Sequence, residues 1–293
     1  MMIAQGSSVA LVTPMKDTGE VDFLAFERLI QFHIDEGTEN IIVAGTTGEA
    51  STLTSKEHVE VIEYACNYSD QISIIAGTGS NSTRQTIDLS KAVEYLPIKA
   101  FLIVVPYYNK PTQRGLIEHF TIIADSLKKP IILYNVPGRT VVNMTNETII
   151  ELAKHSNIIG IKEASGDVSR LEEINLNTPD DFVLLSGDDE SCMNFMLAGG
   201  HGCISVTANV APRQMRKLCD LSVLKNDAKA KDLDNLLQPL HKAMFTESNP
   251  IPVKAALSIM GMIENNIRLP LTPHDAKLSE GLRLVLKNLK IIE

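Results

Sequence analysis

Lys162 closes the apolar run Ile158-Ile159-Gly160-Ile161, and alternation along an extended run sends its side chain to the same face as Ile158 and Gly160. An amine withdrawn from water is driven toward its neutral form, and a neutral amine can attack a carbonyl carbon to form a Schiff base. The competing expectation is a lysine neutralised by a carboxylate, with Glu49 and Asp188 as candidates. Tyr134 ends the preceding run, Ile131–Tyr134, at the same height. A phenol there can carry the protons that a carbinolamine must gain and lose, although a core tyrosine with a satisfied hydroxyl has the same signature. Thr46 and Tyr108 close other runs and could extend a hydroxyl relay. Gly45-Thr46-Thr47-Gly48 is a short loop able to present main-chain N–H groups to a carboxylate or phosphate, and equally the composition of an ordinary turn.

Other chemistries fit less well. Gly77-x-Gly79 has Ser82 where a dinucleotide fingerprint needs its third glycine, so no nucleotide cofactor is expected. The seven histidines form no H-x-H or H-E-x-x-H pair and none closes a run, so no metal site is expected. Asp188-Asp189-Glu190 reads as an acidic loop opening a helix, where the N-terminal dipole favours negative charge.

These residues need a scaffold, and the chain supplies eight short β-branched runs: Val9–Val12, Ile41–Ala44, Ile72–Ala76, Phe101–Val105, Ile131–Tyr134, Ile158–Lys162, Phe182–Ser186 and Cys203–Val206. Most are continuously apolar, as strands buried on both faces must be, and such strands belong to parallel sheets. Helical segments separate them. Thr54-x-x-Glu57 and Ser82-x-x-Gln85 have the spacing of capping boxes, Leu116, Phe120, Ile123, Ala124 and Leu127 form one stripe, and Gly37 and Gly199-Gly200 stand where helices should stop. Eight strand–helix repeats predict an α/β fold, a (β/α)8 barrel, with a doubly wound sheet as the alternative. Residues 1–225 would form the barrel. Residues 226–293 would form a helical appendage with stretches at Asp227–Phe245, Pro252–Met262 and Pro273–Leu289. This segment carries nine basic and eight acidic side chains, against a net charge of -9 for the whole chain. No Gly/Ser-rich linker intervenes, so the appendage should pack on the barrel.

Composition removes further classes. Of 293 residues, 27 are basic and 36 acidic, without a Lys/Arg cluster, which excludes a nucleic-acid partner. Met1–Met15 is uncharged but lacks the cationic start of an export signal, and Ser191–Pro212, also uncharged, is broken by polar residues and glycine, so no membrane span is expected. The four cysteines show no C-x-x-C spacing, which fits a reducing cytoplasm.

Taken together, Gly45-Thr46-Thr47-Gly48-Glu49, Tyr134-Asn135-Val136-Pro137-Gly138-Arg139-Thr140 and Ile159-Gly160-Ile161-Lys162-Glu163 resemble the signatures of the pyruvate-dependent class I aldolase and lyase family. The likeness runs nearly end to end and includes Val12-Thr13-Pro14-Met15, Ser186-Gly187-Asp188-Asp189 and Asn249-Pro250-Ile251-Pro252-Val253-Lys254. It implies a Schiff base between Lys162 and pyruvate, with the covalent adduct in place of any cofactor. Proton transfer would pass through Tyr134, Thr46 and Tyr108. Thr46 and Thr47 would hold the pyruvate carboxylate, and Gly187 and Ile204 would complete the substrate site. Arg139 would hold the carboxylate of a second substrate, L-aspartate 4-semialdehyde, because a guanidinium grips a carboxylate bidentately. The implied reaction opens diaminopimelate and lysine synthesis. Related N-acetylneuraminate and 2-keto-3-deoxy-sugar-acid lyases use the same Schiff base but generally lack this arginine, and are the alternative reading.

The resemblance also implies a homotetramer built as a dimer of dimers, with Tyr108 reaching into the partner's site. Some members bind lysine at the dimer interface. The matching positions here keep Ser51, His58, Asn81 and Tyr107, whereas Ala50, Ser55 and Gln85 replace the Ser, His and Glu of lysine-sensitive enzymes of the enterobacterial type. Weak or absent feedback inhibition is therefore expected.

Overall fold

The computed structural model describes residues 3–293, so Met1 and Met2 of the uncharged N-terminal run lie outside the described residues. Eight parallel strands close into a barrel: β1 (Gly6–Ala10), β2 (Asn40–Val43), β3 (Ser73–Gly77), β4 (Ala100–Val104), β5 (Ile131–Asn135), β6 (Ile158–Glu163), β7 (Val183–Ser186) and β8 (Gly202–Ser205). Each pairs with the next in sequence, and β8 closes on β1 through Ser8↔Ile204. All eight apolar runs are thus strands, as expected. The largest boundary error is at β1, which begins at Gly6 rather than Val9.

Continuous hydrophobicity follows from burial on both faces. Ala10, Ile42, Ile75, Leu102, Ile132, Leu185 and Ile204 pack inside the barrel. Their neighbours Val9, Ile41, Ile74, Phe101, Leu133, Leu184 and Cys203 pack outward against helices. Those helices are α1 (Phe23–Asp35), α2 (Ser55–Cys66), α3 (Thr83–Val93), α4 (Gln113–Ser126), α5 (Pro137–Thr140), α6 (Asn146–Leu152), α7 (Arg170–Asn177), α8 (Cys192–Leu197) and α9 (Pro212–Val223). The expected stripe of Leu116, Phe120, Ile123 and Ala124 is the buried face of α4.

Local signals explain the helix ends. Thr54 and Glu57 form a reciprocal capping box at α2. The matching box at α3 is only half made: the Ser82 hydroxyl accepts from the Gln85 N–H, but the Gln85 side chain instead accepts from Ser80 Oγ at 2.9 Å. Gly37 and Gly199, just past α1 and α8, take the left-handed conformations that favour glycine.

Beyond residue 226 come α10 (Asp227–Ala243), α11 (Ile251–Ile259) and α12 (Ala276–Asn288). Leu237, Leu240, Val253, Leu257, Leu282 and Leu286 join the same core as the outer barrel face, so these helices are packed down as expected. No helix among the described residues is long and apolar enough to cross a membrane.

Candidate active site

β5 and β6 are in register at Tyr134↔Lys162, and Lys162 is paired across β6 and β7 with inward-facing Leu185. Lys162 therefore points into the barrel, with 5% of its surface exposed, and its Nζ lies 4.4 Å from the centroid of the Tyr134 ring. The inward direction is as expected, but one premise for it is not. Ile158 faces the outer core, because the β5–β6 register slips between Ile131 and Ile132 and Ile159 becomes the residue packed against the interior. Parity is regular only from Gly160 onward. Gly160 has no room for a side chain, since a Cβ would sit 2.5 Å from the Val183 carbonyl oxygen.

Neither proposed counter-charge reaches Lys162. The Glu49 carboxylate pairs with Lys254, and Asp188 accepts from the N–H and Oγ of Ser191. No carboxylate among the described residues forms an ion pair with Lys162. Its stem instead packs where Gly187 leaves space: a Cβ on Gly187 would lie 2.8 Å from Lys162 Cε and 2.9 Å from Cγ. Glu163, next in sequence, faces the other way and anchors the strand end. It receives Arg170 Nη1 at 2.7 Å, Asn135 Nδ2 at 2.9 Å and the Ser165 N–H at 2.7 Å.

A cavity of about 730 Å³ opens beside Tyr134. Thr46, Tyr134 and Arg139 line its barrel side, and Ser51, His58 and Tyr107 line its far side toward α2 and α3. Ala50, Ser55 and Gln85, the three substituted positions, line it as well. The structure does not place Lys162, Thr47, Gly187, Ile204, Tyr108 or Asn81 on that wall. Lys162 and Ile204 are interior, Gly187 stands against Lys162, and Thr47 is buried one residue behind Thr46. Tyr108 projects from a left-handed backbone position with 90% of its surface exposed. Asn81 reaches the site indirectly, through an Nδ2 bond to the Tyr107 carbonyl.

The loop after β2 leaves two N–H groups open. Among the described residues nothing accepts from the N–H groups of Thr46 and Thr47, while Glu49 and Ala50 turn back onto the Thr46 and Gly45 carbonyls. Arg139 sits on α5, in the turn that follows β5, and donates from Nη2 to the Asn249 carbonyl at 3.1 Å. His58 Nε2 lies 2.7 Å from the Gly77 carbonyl, which fixes the proton on that nitrogen. Burial pulls the imidazole below its ordinary pKa, with the Gly77 bond opposing. Asp189 is engaged by the backbone: its Oδ2 caps the end of β8 by accepting from the Val206 and Thr207 N–H groups at 3.0 and 2.8 Å.

Three neighbours of the site were invisible to residue-by-residue reading: Asn249, whose Nδ2 donates to Thr47 Oγ1 at 3.0 Å, Lys254, and the Glu163–Arg170 pair. The segment Asn249–Lys254 stood out in sequence, but no local rule ties it to residues about two hundred positions away.

A closed parallel barrel that sets an inward lysine without an ion-pair partner against a tyrosine, beside a loop with two unbonded N–H groups, has the architecture expected of pyruvate-dependent barrel lyases. The chain belongs to the dihydrodipicolinate synthetase family, whose model matches residues 3–289. It is 51% identical over 268 residues to the 4-hydroxy-tetrahydrodipicolinate synthase of Laribacter hongkongensis, covering 91% of this chain and 92% of that one. It is 50% identical over 292 residues to the enzyme of the same name from Ectopseudomonas mendocina, covering 99% and 100%. The chloride-inhibited dihydrodipicolinate synthase of Acinetobacter baumannii, solved in complex with pyruvate, superposes with a TM-score of 0.96 at 49% identity, covering 98% of this chain and 99% of that one.

Proposed function

We propose that this chain condenses pyruvate with L-aspartate 4-semialdehyde to give 4-hydroxy-tetrahydrodipicolinate, the entry step to diaminopimelate and lysine. The observation that carries the reading is the inward Lys162 amine, free of any carboxylate and 4.4 Å from the Tyr134 ring centroid, in a chain of this family. The nitrogen attacks C2 of pyruvate, and water leaves with a proton delivered through Tyr134. Loss of a C3 proton gives the enamine, and its C3 attacks the aldehyde carbon. The amino group of the semialdehyde then attacks C2, forms the ring and releases Lys162. No cofactor enters this sequence.

The unbonded N–H groups of Thr46 and Thr47 support a seat for the pyruvate carboxylate, and Gly187 and Ile204 shape the space around the Lys162 stem. Arg139 on the cavity wall supports a grip on the semialdehyde carboxylate, which favours condensation over cleavage of a polyhydroxy acid. Tyr108, exposed in one protomer, fits a relay completed across a dimer, within a homotetramer. Residues 1–225 carry the chemistry, and residues 226–293 brace it. Four buried free cysteines fit a cytoplasmic enzyme.

Turnover of pyruvate with L-aspartate 4-semialdehyde, followed by formation of the cyclic product, tests the activity. Arg139→Ala should raise the KM for the semialdehyde yet still allow pyruvate to be trapped on the enzyme; loss of the adduct would contradict the role assigned to Arg139. Gln85 offers no negative charge to a lysine ammonium at the α2–α3 end of the cavity, a loss of about 1–3 kcal/mol. L-lysine is accordingly a poor inhibitor, and an inhibition constant in the low micromolar range would contradict this.

A further inference from the structure

Asn249 stands between the two carboxylate seats and touches both. Its side chain is buried, its Nδ2 donates to Thr47 Oγ1 at 3.0 Å, and its carbonyl accepts from Arg139 Nη2 at 3.1 Å. Its Oδ1 is buried with no donor facing it among the described residues. The residue is firmly based. Lys254, five positions on, is buried and joins the Glu49 carboxylate and the Thr13 carbonyl, while the Thr13 hydroxyl donates to the Gly48 carbonyl at 2.7 Å. The loop after β2 is thus gripped from the segment Asn249–Lys254 at two points.

An amide nitrogen can only donate, so Thr47 Oγ1 must accept from Asn249, and the single hydroxyl proton of Thr47 is left for another acceptor. We propose that Asn249 is a positioning residue: by occupying the Thr47 oxygen from behind, it directs the Thr47 hydroxyl proton toward the pyruvate carboxylate. It acts through Thr47 and touches no reacting atom. This rests on the reading above that the Thr46–Thr47 loop receives that carboxylate. A hydroxyl already turned to the anion needs no reorientation on binding, whereas a free rotor must be ordered.

Three variants in the full-length enzyme test the assignment, read by steady-state kinetics, borohydride trapping and thermal unfolding. Asn249→Ala should raise the KM for pyruvate about tenfold with a smaller change in kcat, while saturating pyruvate still gives the adduct. Asn249→Asp keeps the shape but turns the donor into an acceptor, which would draw the Thr47 proton away from the site, so its KM should rise further than that of Asn249→Ala. Thr47→Val should raise the KM in the native background and add little on top of Asn249→Ala. An Asn249→Asp enzyme with near-native pyruvate KM would overturn the proposal. So would effects of Asn249→Ala and Thr47→Val that multiply, or a lowered melting temperature with no change in KM. A native enzyme that traps no pyruvate would instead refute the underlying functional reading, and Thr47→Val with unchanged KM would refute the carboxylate seat.

Discussion

Lys162, on barrel strand β6, and Lys254, on helix α11, are both withdrawn from water, at 5% and 1% exposure, and have opposite surroundings. Lys254 is held by the Glu49 carboxylate and the Thr13 carbonyl. Burial pulls its ammonium below the ordinary lysine value, and Glu49 opposes that pull. Lys162 lies against an aromatic face and an aliphatic slot beside Gly187, with no carboxylate paired to it among the described residues. Burial alone therefore does not mark a reactive amine. A buried lysine held by a fixed carboxylate is a structural strut, whereas a buried lysine without one leaves its nitrogen free to approach a carbonyl.

Exchanging the fates of the two lysines is the most severe way to break the contrast. Lys162→Ala should lower turnover by about ten-thousand-fold or more, because it removes the atom proposed to carry the covalent intermediate, and should leave the unfolding transition nearly unchanged. Lys254→Ala should do the reverse. Leaving Glu49 buried without its partner costs about 3–5 kcal/mol, measurable by urea unfolding, while molecules that remain folded still form the pyruvate adduct. Equal loss of stability in both variants would erase the distinction.

A finer probe is Gly187→Ala. Its new methyl would lie 2.7 Å from Ala164 Cβ and 2.8 Å from Lys162 Cε, so the lysine stem, the more flexible of the two neighbours, is pushed aside. A displacement of this order should slow adduct formation by about a hundredfold without unfolding the protein. Native trapping rates would show that the slot beside Gly187 is not what aims Lys162.

The last contrast, read as a slope with pH rather than as a single step, concerns buried bases with no counter-charge among the described residues. Burial lowers the pKa of His33 to about 3 and that of His119 to about 4, and each has one ring nitrogen buried without a partner. Both are neutral in the fold but bind a proton near pH 6.5 when unfolded. The unfolded state is thus favoured as acid is added. Their contribution is fully present above about pH 6.5 and is lost on descending toward pH 4, by about 1.4 kcal/mol per pH unit for each group. Urea unfolding across that window checks the slope, and His33→Gln should flatten it.

Much of this contrast was legible in the sequence, and its limits have physical causes. Continuous β-branched runs marked all eight strands because burial on both faces leaves no polar alternation. Lys162 and Tyr134 were found because each closes a run. Ile158 was assigned to the wrong face because a slip in register depends on the partner strand and leaves no mark within β6 itself. The pairing of Glu49 with Lys254 rather than Lys162 joins residues 205 apart, and the Asn249–Thr47 bond joins residues 202 apart. Such contacts are made by the closing of the barrel and the docking of the appendage. Local spacing rules, which work over three or four residues at Thr54–Glu57, cannot reach them.

The most direct test of the central claim is borohydride reduction of the native enzyme in the presence of pyruvate, followed by peptide mass analysis. The account predicts a reduced pyruvate adduct on the peptide carrying Lys162 and none on the peptide carrying Lys254. An unmodified Lys162 peptide, or an adduct on another lysine, would contradict it.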